Sequence, residues 1–253
     1  MAICDDRGGK AGIMAKTTKG TVRKEPLPKD IRGHIFFGLN LDEEQINFAN
    51  RILDENIRAV FASSAAGTGK TTVAVCAATL MVESGAYSDI VYCTHPVGDA
   101  QGFLPGTISD KSSVWFEGLY QALVAANRNP EQVITDSSIV NMKTGTGFVK
   151  AVTDTYLRGS TIGSDGRTVF IIDEAQNFDE HSLRKTLTRA NDNSKVIVIG
   201  HVGQVDLNGR TESGFSRCMK HFYSKEDPRF AFCELKTNHR GLVSQVADEP
   251  WIE

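Results

Sequence analysis

The sequence predicts an α/β fold in which helices cover both faces of a parallel sheet. Short apolar runs rich in β-branched residues recur along the chain, with helical stretches among them. They are AVFAS at 59–63, DIVYCT at 89–94, TVFIID at 168–173, KVIVIG at 195–200 and FAFCEL at 230–235. Strands that are apolar throughout and alternate with helices are typical of a parallel sheet buried on both faces. Two more strand-like runs, IVNM and GFVKAV, precede the third run, and we expect them to form a hairpin.

The length and composition indicate a globular protein with one large domain or two small ones. The chain has 253 residues, of which 40% are hydrophobic and 23% charged, enough to bury a sizeable core. Residues 1–35 are rich in Gly, Lys and Thr without a hydrophobic period, which predicts a mobile basic tail before a single domain at 36–253. The net charge of −3 creates no overall basic field, so contact with nucleic acid would require a local patch.

Cysteines and apolar segments indicate the compartment. The five cysteines are widely spaced and lie mostly in apolar runs, as free thiols in a reducing compartment do. Cys218 and His221 form a single C-x-x-H pair with no second pair nearby. Because structural zinc takes four ligands, we expect no zinc at this pair. The N-terminus lacks the apolar core of a signal peptide, and no segment approaches the roughly 20 apolar residues of a membrane helix. We therefore expect a cytoplasmic protein without membrane contact.

The first predicted helix lies in NLDEEQINFANRILDEN. Asn40 followed by Glu43 three residues later fits a capping box, with Asn40 as the N-cap. Apolar residues then recur at helical spacing from Ile46 to Leu53. We expect this helix to pack on the core just before the first strand.

The stretch SSAAGTGKTT, residues 63–72, predicts a phosphate-binding loop. It follows the first strand and precedes a helical run, which is the context that the pattern G-x-x-x-x-G-K-[ST] requires. Backbone N–H groups of such a loop can surround a phosphate, while Lys70 reaches the β- and γ-phosphates and the Thr71 hydroxyl ligates Mg²⁺. The residues expected to bind the nucleotide are Ser64, Ala65, Ala66, Gly67, Thr68, Gly69, Lys70, Thr71 and Thr72.

Ser64 stands where the phosphate-loop pattern has its first glycine. A glycine there serves the turn out of the strand, where a positive φ would cost a residue with a β-carbon about 1–2 kcal/mol. Because this cost falls on the backbone and not on a charge-bearing group, we expect Ser64 to be tolerated. Taken alone, the segment also fits a glycine-rich turn that binds nothing.

An acidic pair ends the third apolar run, where TVFIID continues into EAQN. In a phosphate-loop protein, Asp173 at the tip of a parallel strand can hold Mg²⁺ through water, and Glu174 can polarise the attacking water as general base. The alternative is a solvated turn or a helix N-cap, which the upstream loop disfavours. The strand DIVYCT separates the loop strand from the acidic strand, an order that resembles the RecA-like (ASCE) division of P-loop NTPases and implies ATP hydrolysis.

Six segments extend this resemblance. They are AAGTGKT at 65–71, GFLPG at 102–106, YLRGSTI at 156–162, IIDEAQN at 171–177, LTR at 187–189 and GHVGQVDL at 200–207. In this order they resemble the PhoH-like ATPases, in the branch carried by many bacteriophages and related to the cores of superfamily-1 helicases. The resemblance runs from about Gly38 to Val246. For a phage-encoded member it implies the host cytoplasm.

The resemblance implies roles for further residues. Gln45 would recognise adenine through its amide or, alternatively, lie on a helix surface. Gln204 would sense the γ-phosphate. In LKTNHRG, Arg240 would touch phosphate or be an ordinary surface cation, and His239 would stack near the base.

Three positions depart from the family pattern. His95 replaces the arginine of Thr-Arg-Pro, Ser160 replaces the second arginine after YL, and His201 replaces the aspartate before the sensor glutamine. The catalytic core is intact, whereas the altered positions are those expected to couple ATP to a polymer or partner. ATP turnover is therefore a safer expectation than coupled activity.

Single-stranded RNA or DNA is one expected partner. Phe103 lies in a loop after a strand tip. It would stack on a base, or alternatively belong to a packed surface loop without a ligand. The basic tail would add phosphate contacts. The alternative function is a nucleotide-gated assembly protein with slow ATP turnover and no nucleic-acid activity.

A single RecA-like domain leaves the γ-phosphate open on one side. We therefore expect a homo-oligomer, preferably a hexameric ring, in which a neighbour supplies an arginine to the transition state. Arg158 is the first candidate and Arg189 the second, and both are alternatively ordinary surface charges. In a monomer, Arg240 would supply the charge.

Overall fold

The computed structural model describes residues 26–96, 113–135, 147–157, 159, 161–201 and 213–247. Its centre is a six-stranded sheet with strand order β3-β2-β4-β5-β1-β6, in which each neighbouring pair is parallel. The strands are β1 (Ala59–Ser64), β2 (Asp89–Thr94), β3 (Val149–Thr153), β4 (Thr168–Ile172), β5 (Ser194–Gly200) and β6 (Phe230–Leu235). The predicted parallel α/β sheet is confirmed, and all five apolar runs are strands of it.

The helices of this sheet follow the same chain order. They are α1 (Glu43–Leu53), α2 (Lys70–Glu83), α3 (Glu117–Ala125), α4 (Pro130–Val133), α5 (Glu180–Leu187), α6 (Gly214–Tyr223) and α7 (Leu242–Ala247). Short 3₁₀ turns span Ser113–Phe116, Asp154–Leu157 and Ala175–Asn177. In the described parts of the chain, no helix is both long enough and apolar enough to cross a membrane.

Both faces of the sheet are buried, as the apolar strands predict. Alternate residues of β4 point to opposite sides, so that Val169 and Ile171 join one core cluster while Phe170 and Ile172 join the other. Helices α1, α2 and α3 pack on the first face, and α5 and α6 on the second. The strands therefore end between two helical layers, and their carboxyl ends share one edge.

Two local predictions need correction near α1. The N-cap is Asp42 and not Asn40, because the Asp42 carboxylate accepts the Gln45 N–H while the Gln45 side chain accepts the Asp42 N–H. Ile31, assigned to the tail, is buried, and its N–H donates to Asn50 Oδ1 at 2.9 Å. An isolated apolar residue has no periodicity, so the sequence could not reveal that it packs.

The run GFVKAV, expected to form one arm of a hairpin, also pairs with a strand of the central sheet. It contains β3, which pairs in parallel with β2 from Ile90–Val149 to Thr94–Thr153. The other expected arm, IVNM, lies outside the described residues, so the hairpin stays a prediction. Strand propensity identified a strand here but not its partner.

Candidate nucleotide site

The phosphate loop and the acidic pair lie at the carboxyl edge of the sheet. The loop leaves β1 after Ser64 and enters α2 at Lys70, and the acidic pair follows β4 directly. Because all six strands are parallel, strand ends that are far apart in sequence share this edge. The two predicted motifs are thus brought together.

The loop backbone suits an anion. Gly67 and Gly69 have φ of 73° and 75°, in the left-handed region that favours glycine. Gly69 is also the N-cap of α2 and provides no capping side chain. The first N–H groups of α2 are therefore not occupied by a cap, and a helix start of this kind is a binding place for phosphate.

The loop is also held from outside. Its carbonyl groups accept two hydrogen bonds, Gln45 Nε2 donating to Thr68 O at 2.9 Å and His239 N donating to Gly67 O at 2.9 Å. A carbonyl held on the outer side of a loop leaves the N–H groups to face inward. Helix α1 and the segment after β6 thus keep the loop in shape from two sides.

Ser64 is not strained. It is the last residue of β1, in register with Leu235 of β6, and its φ is not positive. Ser64 therefore bears no cost from a positive φ, because the positive φ angles come later in the loop, at Gly67 and Gly69. The Ser64 hydroxyl is buried and has no hydrogen-bond partner among the described residues.

Asp173 lies beside the hydroxyl expected to hold the metal. The Thr71 hydroxyl donates to Asp173 Oδ2 at 2.8 Å, the Tyr92 hydroxyl donates to the same oxygen at 2.5 Å, and Glu174 N donates to Oδ1 at 2.8 Å. Asp173 is buried. Its pKa is raised by burial and by the charge of Glu174, so a cation here would relieve an electrostatic cost.

These oxygen donors fit Mg²⁺. A magnesium ion keeps several waters and takes only one or two carboxylates together with substrate phosphates. Thr71 and Asp173 supply one hydroxyl and one carboxylate. A group of three or more His, Cys, Asp or Glu side chains suited to a metal is absent from the described part of the chain.

Glu174 projects toward Lys70. Glu174 has φ 50° and ψ 44°, an uncommon conformation for a residue other than glycine and one that recurs at functional sites. Its Oε1 lies 3.8 Å from Lys70 Nζ, with the Glu174 side chain 44% exposed and that of Lys70 13% exposed. The carboxylate is thus open to solvent and substrate, while the ammonium is held inward.

The segment after β6 packs against the loop. The Glu44 carboxylate accepts N–H groups of Lys236 at 2.7 Å and Thr237 at 3.2 Å. A β-carbon placed on Gly67 would lie 2.9 Å from Arg240 Cγ, so the stem of Arg240 lies against the loop. The structure thus brings Arg240 to the phosphate loop.

The two residues expected near adenine are both bonded within the protein. The Gln45 amide uses its NH₂ on Thr68 O and its oxygen on Asp42 N. His239 Nε2 lies 2.9 Å from Asp42 Oδ2. Base recognition by Gln45, or stacking by His239, would require these bonds to be exchanged, so both roles stay predictions.

The remaining predicted residues are either undescribed or lie elsewhere in the fold. Gln204, Arg158, Ser160 and Phe103 lie outside the described residues. Arg189 accepts the N–H of Ile162 through its carbonyl and precedes the amino end of β5, far along the strand from the loop. Within one chain, Arg189 is not part of the site.

Two of the departures from the family pattern have partners. His95 Nδ1 lies 3.1 Å from Asp154 Oδ2, and Asp154 raises the pKa of His95. The backbone N–H of His201 donates to Gln176 Oε1 at 3.0 Å. Both histidines therefore lie at strand ends on the functional edge.

Sequence reasoning missed Tyr92 and Gln176. Tyr92 occurs within an apolar strand, where nothing local distinguishes a hydroxyl that reaches Asp173. Gln176 belongs to the acidic motif but received no role. Their partners lie on other elements, so only the assembled sheet reveals them.

Comparisons with known proteins agree with this geometry. A family model described as "PhoH-like protein" matches residues 40–248. Protein PhoH2 of Bacillus subtilis (strain 168) is 32% identical over 251 residues, covering 96% of this chain and 54% of that protein. Protein PhoH of Escherichia coli (strain K12) is 30% identical over 190 residues, covering 73% of this chain and 50% of that protein. The chain spans about half the length of the curated relatives it matches.

Solved structures are more distant. The HK97 bacteriophage large terminase has a TM-score of 0.48 and 16% identity, with 78% of this chain and 39% of the terminase covered. Bacteroides sp Pif1 in complex with ADP-AlF4 has a TM-score of 0.37 and 15% identity, with 81% and 44% covered. At these values the likeness carries no argument about function, which depends instead on the family match and the site.

Proposed function

The chain belongs to the PhoH-like protein family, and we propose that it is a Mg²⁺-dependent ATPase. The observation that supports this most directly is the bond between Thr71 and Asp173, at 2.8 Å across more than 100 residues of sequence. This bond places a hydroxyl of the phosphate-loop motif next to a carboxylate that follows a second strand. A Mg²⁺ ion bound to ATP requires these two groups close together.

Phosphate binding is the first step. The uncapped start of α2 and the left-handed glycines offer N–H groups to the β- and γ-phosphates. Lys70 adds a positive charge from a position that is largely shielded from solvent. Thr71 and Asp173 would hold Mg²⁺, which would supply positive charge to the phosphates.

Hydrolysis needs a proton acceptor beside the γ-phosphate. Glu174 fits this role, because its exposed carboxylate lies on the same side as Lys70. A water between the carboxylate and the phosphate would be polarised by Glu174 and attack as the proton leaves. Gln204 is proposed to sense the γ-phosphate, on the family resemblance alone.

The decisive experiment compares ATP binding and turnover in millimolar Mg²⁺. We expect the wild type to bind and hydrolyse ATP, and Lys70→Ala to bind none that can be measured. Lys225→Ala removes an exposed lysine after α6 and is the matched control, with wild-type binding expected. Wild-type protein that binds no labelled ATP would refute the proposal.

Single-stranded RNA or DNA is proposed as a partner. Tyr156 supports this, because it is 69% exposed in the 3₁₀ turn that follows β3, on the edge that carries the site. An exposed aromatic ring stacks on bases with about 1–3 kcal/mol per base. We expect poly(U) or poly(dT) to stimulate turnover less as salt rises, and Tyr156→Ala to weaken that stimulation.

A homo-oligomer, preferably a hexamer, is proposed to complete the site. Helix α7 supports a partner surface, because Leu242, Val243 and Val246 are 74%, 84% and 55% exposed immediately after Arg240. Arg158→Ala protein that is inactive alone should regain turnover when mixed with Lys70→Ala protein. A fully active monomer would instead favour Arg240 acting in its own chain.

The second candidate, a nucleotide-gated assembly protein, is favoured by the same exposed face of α7. It differs in its outcomes, since it predicts oligomers that depend on ATP and turnover that no single strand stimulates.

A further inference from the structure

Gln176 has a position that the proposed mechanism does not use. It lies in the 3₁₀ turn Ala175–Asn177 directly after the acidic pair and is only 2% exposed. A buried amide in a native protein is expected to be hydrogen-bonded, because leaving it unpaired costs about 1–3 kcal/mol. Its two bonds therefore show what the side chain connects.

One end of the Gln176 amide holds the catalytic carboxylate. Nε2 donates to Glu174 Oε2 at 2.5 Å, a bond to a charged acceptor of the stronger kind. The other carboxylate oxygen, Oε1, is the one that faces Lys70. The amide thus fixes the plane of the carboxylate and leaves one oxygen directed at the substrate.

The other end of the amide holds the exit of β5. Gln176 Oε1 accepts the backbone N–H of His201 at 3.0 Å, the residue directly after that strand. A β-carbon on Gly200 would lie 2.9 Å from the same oxygen and 2.9 Å from Phe215 Cδ1. The absence of a side chain at Gly200 therefore leaves room for the Gln176 amide. The bond between Gln176 and His201 depends on Gly200 as well as on Gln176.

We propose that Gln176 is a positioning residue that couples the orientation of Glu174 to the backbone at His201. The inference rests on the proposed function, in which Glu174 is the general base. A displacement of the chain at His201 moves the amide oxygen, and the rigid amide then turns the carboxylate at its other end. Turnover would thereby depend on the position of the backbone at His201.

Two variants separate the two ends of the amide. Gln176→Met keeps the length and removes both bonds, whereas Gln176→Glu, compared at a pH high enough to ionise the introduced carboxyl, keeps an acceptor for the His201 N–H and removes the donor to Glu174. The matched control is Gln121→Met, because Gln121 Nε2 donates to Glu117 Oε1 at 2.9 Å on the exposed surface of α3. We expect kcat to fall about ten- to hundredfold in both Gln176 variants, with KM for ATP within twofold of wild type and no change in the control.

Amide hydrogen exchange at His201, followed by NMR, tests the coupling without turnover. Exchange should be faster in Gln176→Met and near wild type in Gln176→Glu. Glu174→Ala should also speed exchange at His201 in the wild-type background, but add nothing in the Gln176→Met background. This non-additivity is the signature of transmission through Gln176.

The outcomes are distinct. Wild-type exchange at His201 in Glu174→Ala, or a Gln176→Met protein with unchanged kcat, would overturn the inference. A rise in KM with unchanged kcat would also overturn it, because the residue would then act on ATP binding. If the wild type hydrolyses no ATP, the proposed function fails, while the exchange measurements still decide whether Glu174 and His201 are coupled.

Discussion

Asp173 is a buried acidic side chain at the carboxyl edge of the sheet, and Lys195 is a buried basic side chain at the amino edge. Lys195 is the second residue of β5. Its Nζ donates to two backbone carbonyls, Asp54 O at 2.6 Å and Ile57 O at 2.5 Å. Burial lowers the pKa of Lys195 to about 7. Above that pKa the neutral amine prevails and its two hydrogens serve these two carbonyls, so Lys195 then needs no counter-charge.

The carboxyl edge is different because its cost persists. Asp173 accepts three hydrogen bonds, yet it lies next to a second carboxylate, which raises its pKa together with burial. Hydrogen bonds satisfy its oxygens, and the Lys70 ammonium, 3.8 Å from Glu174 Oε1, can offset only one of the two negative charges. The difference teaches that burial of an ionisable group marks a ligand site only where neighbouring groups leave charge uncompensated.

The largest effect on ATP turnover is expected when the carboxyl edge loses its proton acceptor, Glu174. Glu174→Gln keeps the shape and removes the base, so turnover should fall at least about a hundredfold while ATP still binds. Turnover and nucleotide affinity are measured together. Glu226→Gln is the matched control, since Glu226 has the same φ of 50° but lies in the turn between α6 and β6.

Wild-type turnover in Glu174→Gln would mean that the general base lies elsewhere. Loss of ATP binding in the same variant would instead assign Glu174 a part in binding. Either result would remove the functional contrast between the two edges.

The second effect is on stability at the amino edge. The pKa of Lys195 is about 7 in the fold and 10.5 for an unperturbed lysine, so the unfolded state binds more protons between these values. The contribution of Lys195 to the free energy of unfolding should therefore rise with pH from about 7 to about 10.5, by at most about 1.4 kcal/mol per unit. The full penalty for burying the charge applies below pH 7.

Urea unfolding across this pH range measures the slope. Lys195→Met should lose this contribution, whereas Lys150→Met, at an exposed position of β3, should keep it. An identical pH dependence in wild type and Lys195→Met would show that the buried lysine keeps its charge.

The third effect sharpens the contrast through two buried tyrosines. Tyr92→Phe removes the hydroxyl that donates to Asp173 Oδ2. Loss of a hydrogen-bond partner of a metal ligand commonly lowers metal affinity by about tenfold or more. We expect the Mg²⁺ concentration for half-maximal turnover to rise about tenfold. Tyr87→Phe, which removes the partner of Arg167 Nη2 at 3.2 Å near the amino edge, should leave it unchanged.

An equal response of both tyrosine variants would indicate a general loss of stability. No response in Tyr92→Phe would mean that Thr71 and the Glu174 N–H suffice to orient Asp173.

The sequence could predict what depends on neighbours along the chain. Each apolar run has its own β-branched composition, and the loop carries its glycines, its lysine and its hydroxyl within ten residues. The bonds of Tyr92 and Gln176 span different elements and leave no local pattern. Likewise, Asn40-x-x-Glu and Asp42-x-x-Gln both fit a capping box, and only the reciprocal hydrogen bonds between Asp42 and Gln45 in the fold show which is used.

The smallest effect is expected at Ser64, on the functional edge but outside its charged part. Because Ser64 is extended and its buried hydroxyl has no partner among the residues described, Ser64→Ala should stabilise the fold by about 1 kcal/mol. Ser64→Gly also removes the hydroxyl but costs about 0.5–1 kcal/mol of backbone entropy, so its stability should stay near that of wild type. Turnover should remain within a few-fold of wild type in both variants. A large gain in turnover for Ser64→Gly alone would mean that the loop needs a positive φ at this position during catalysis, and a destabilised Ser64→Ala would mean that the hydroxyl is hydrogen-bonded in solution.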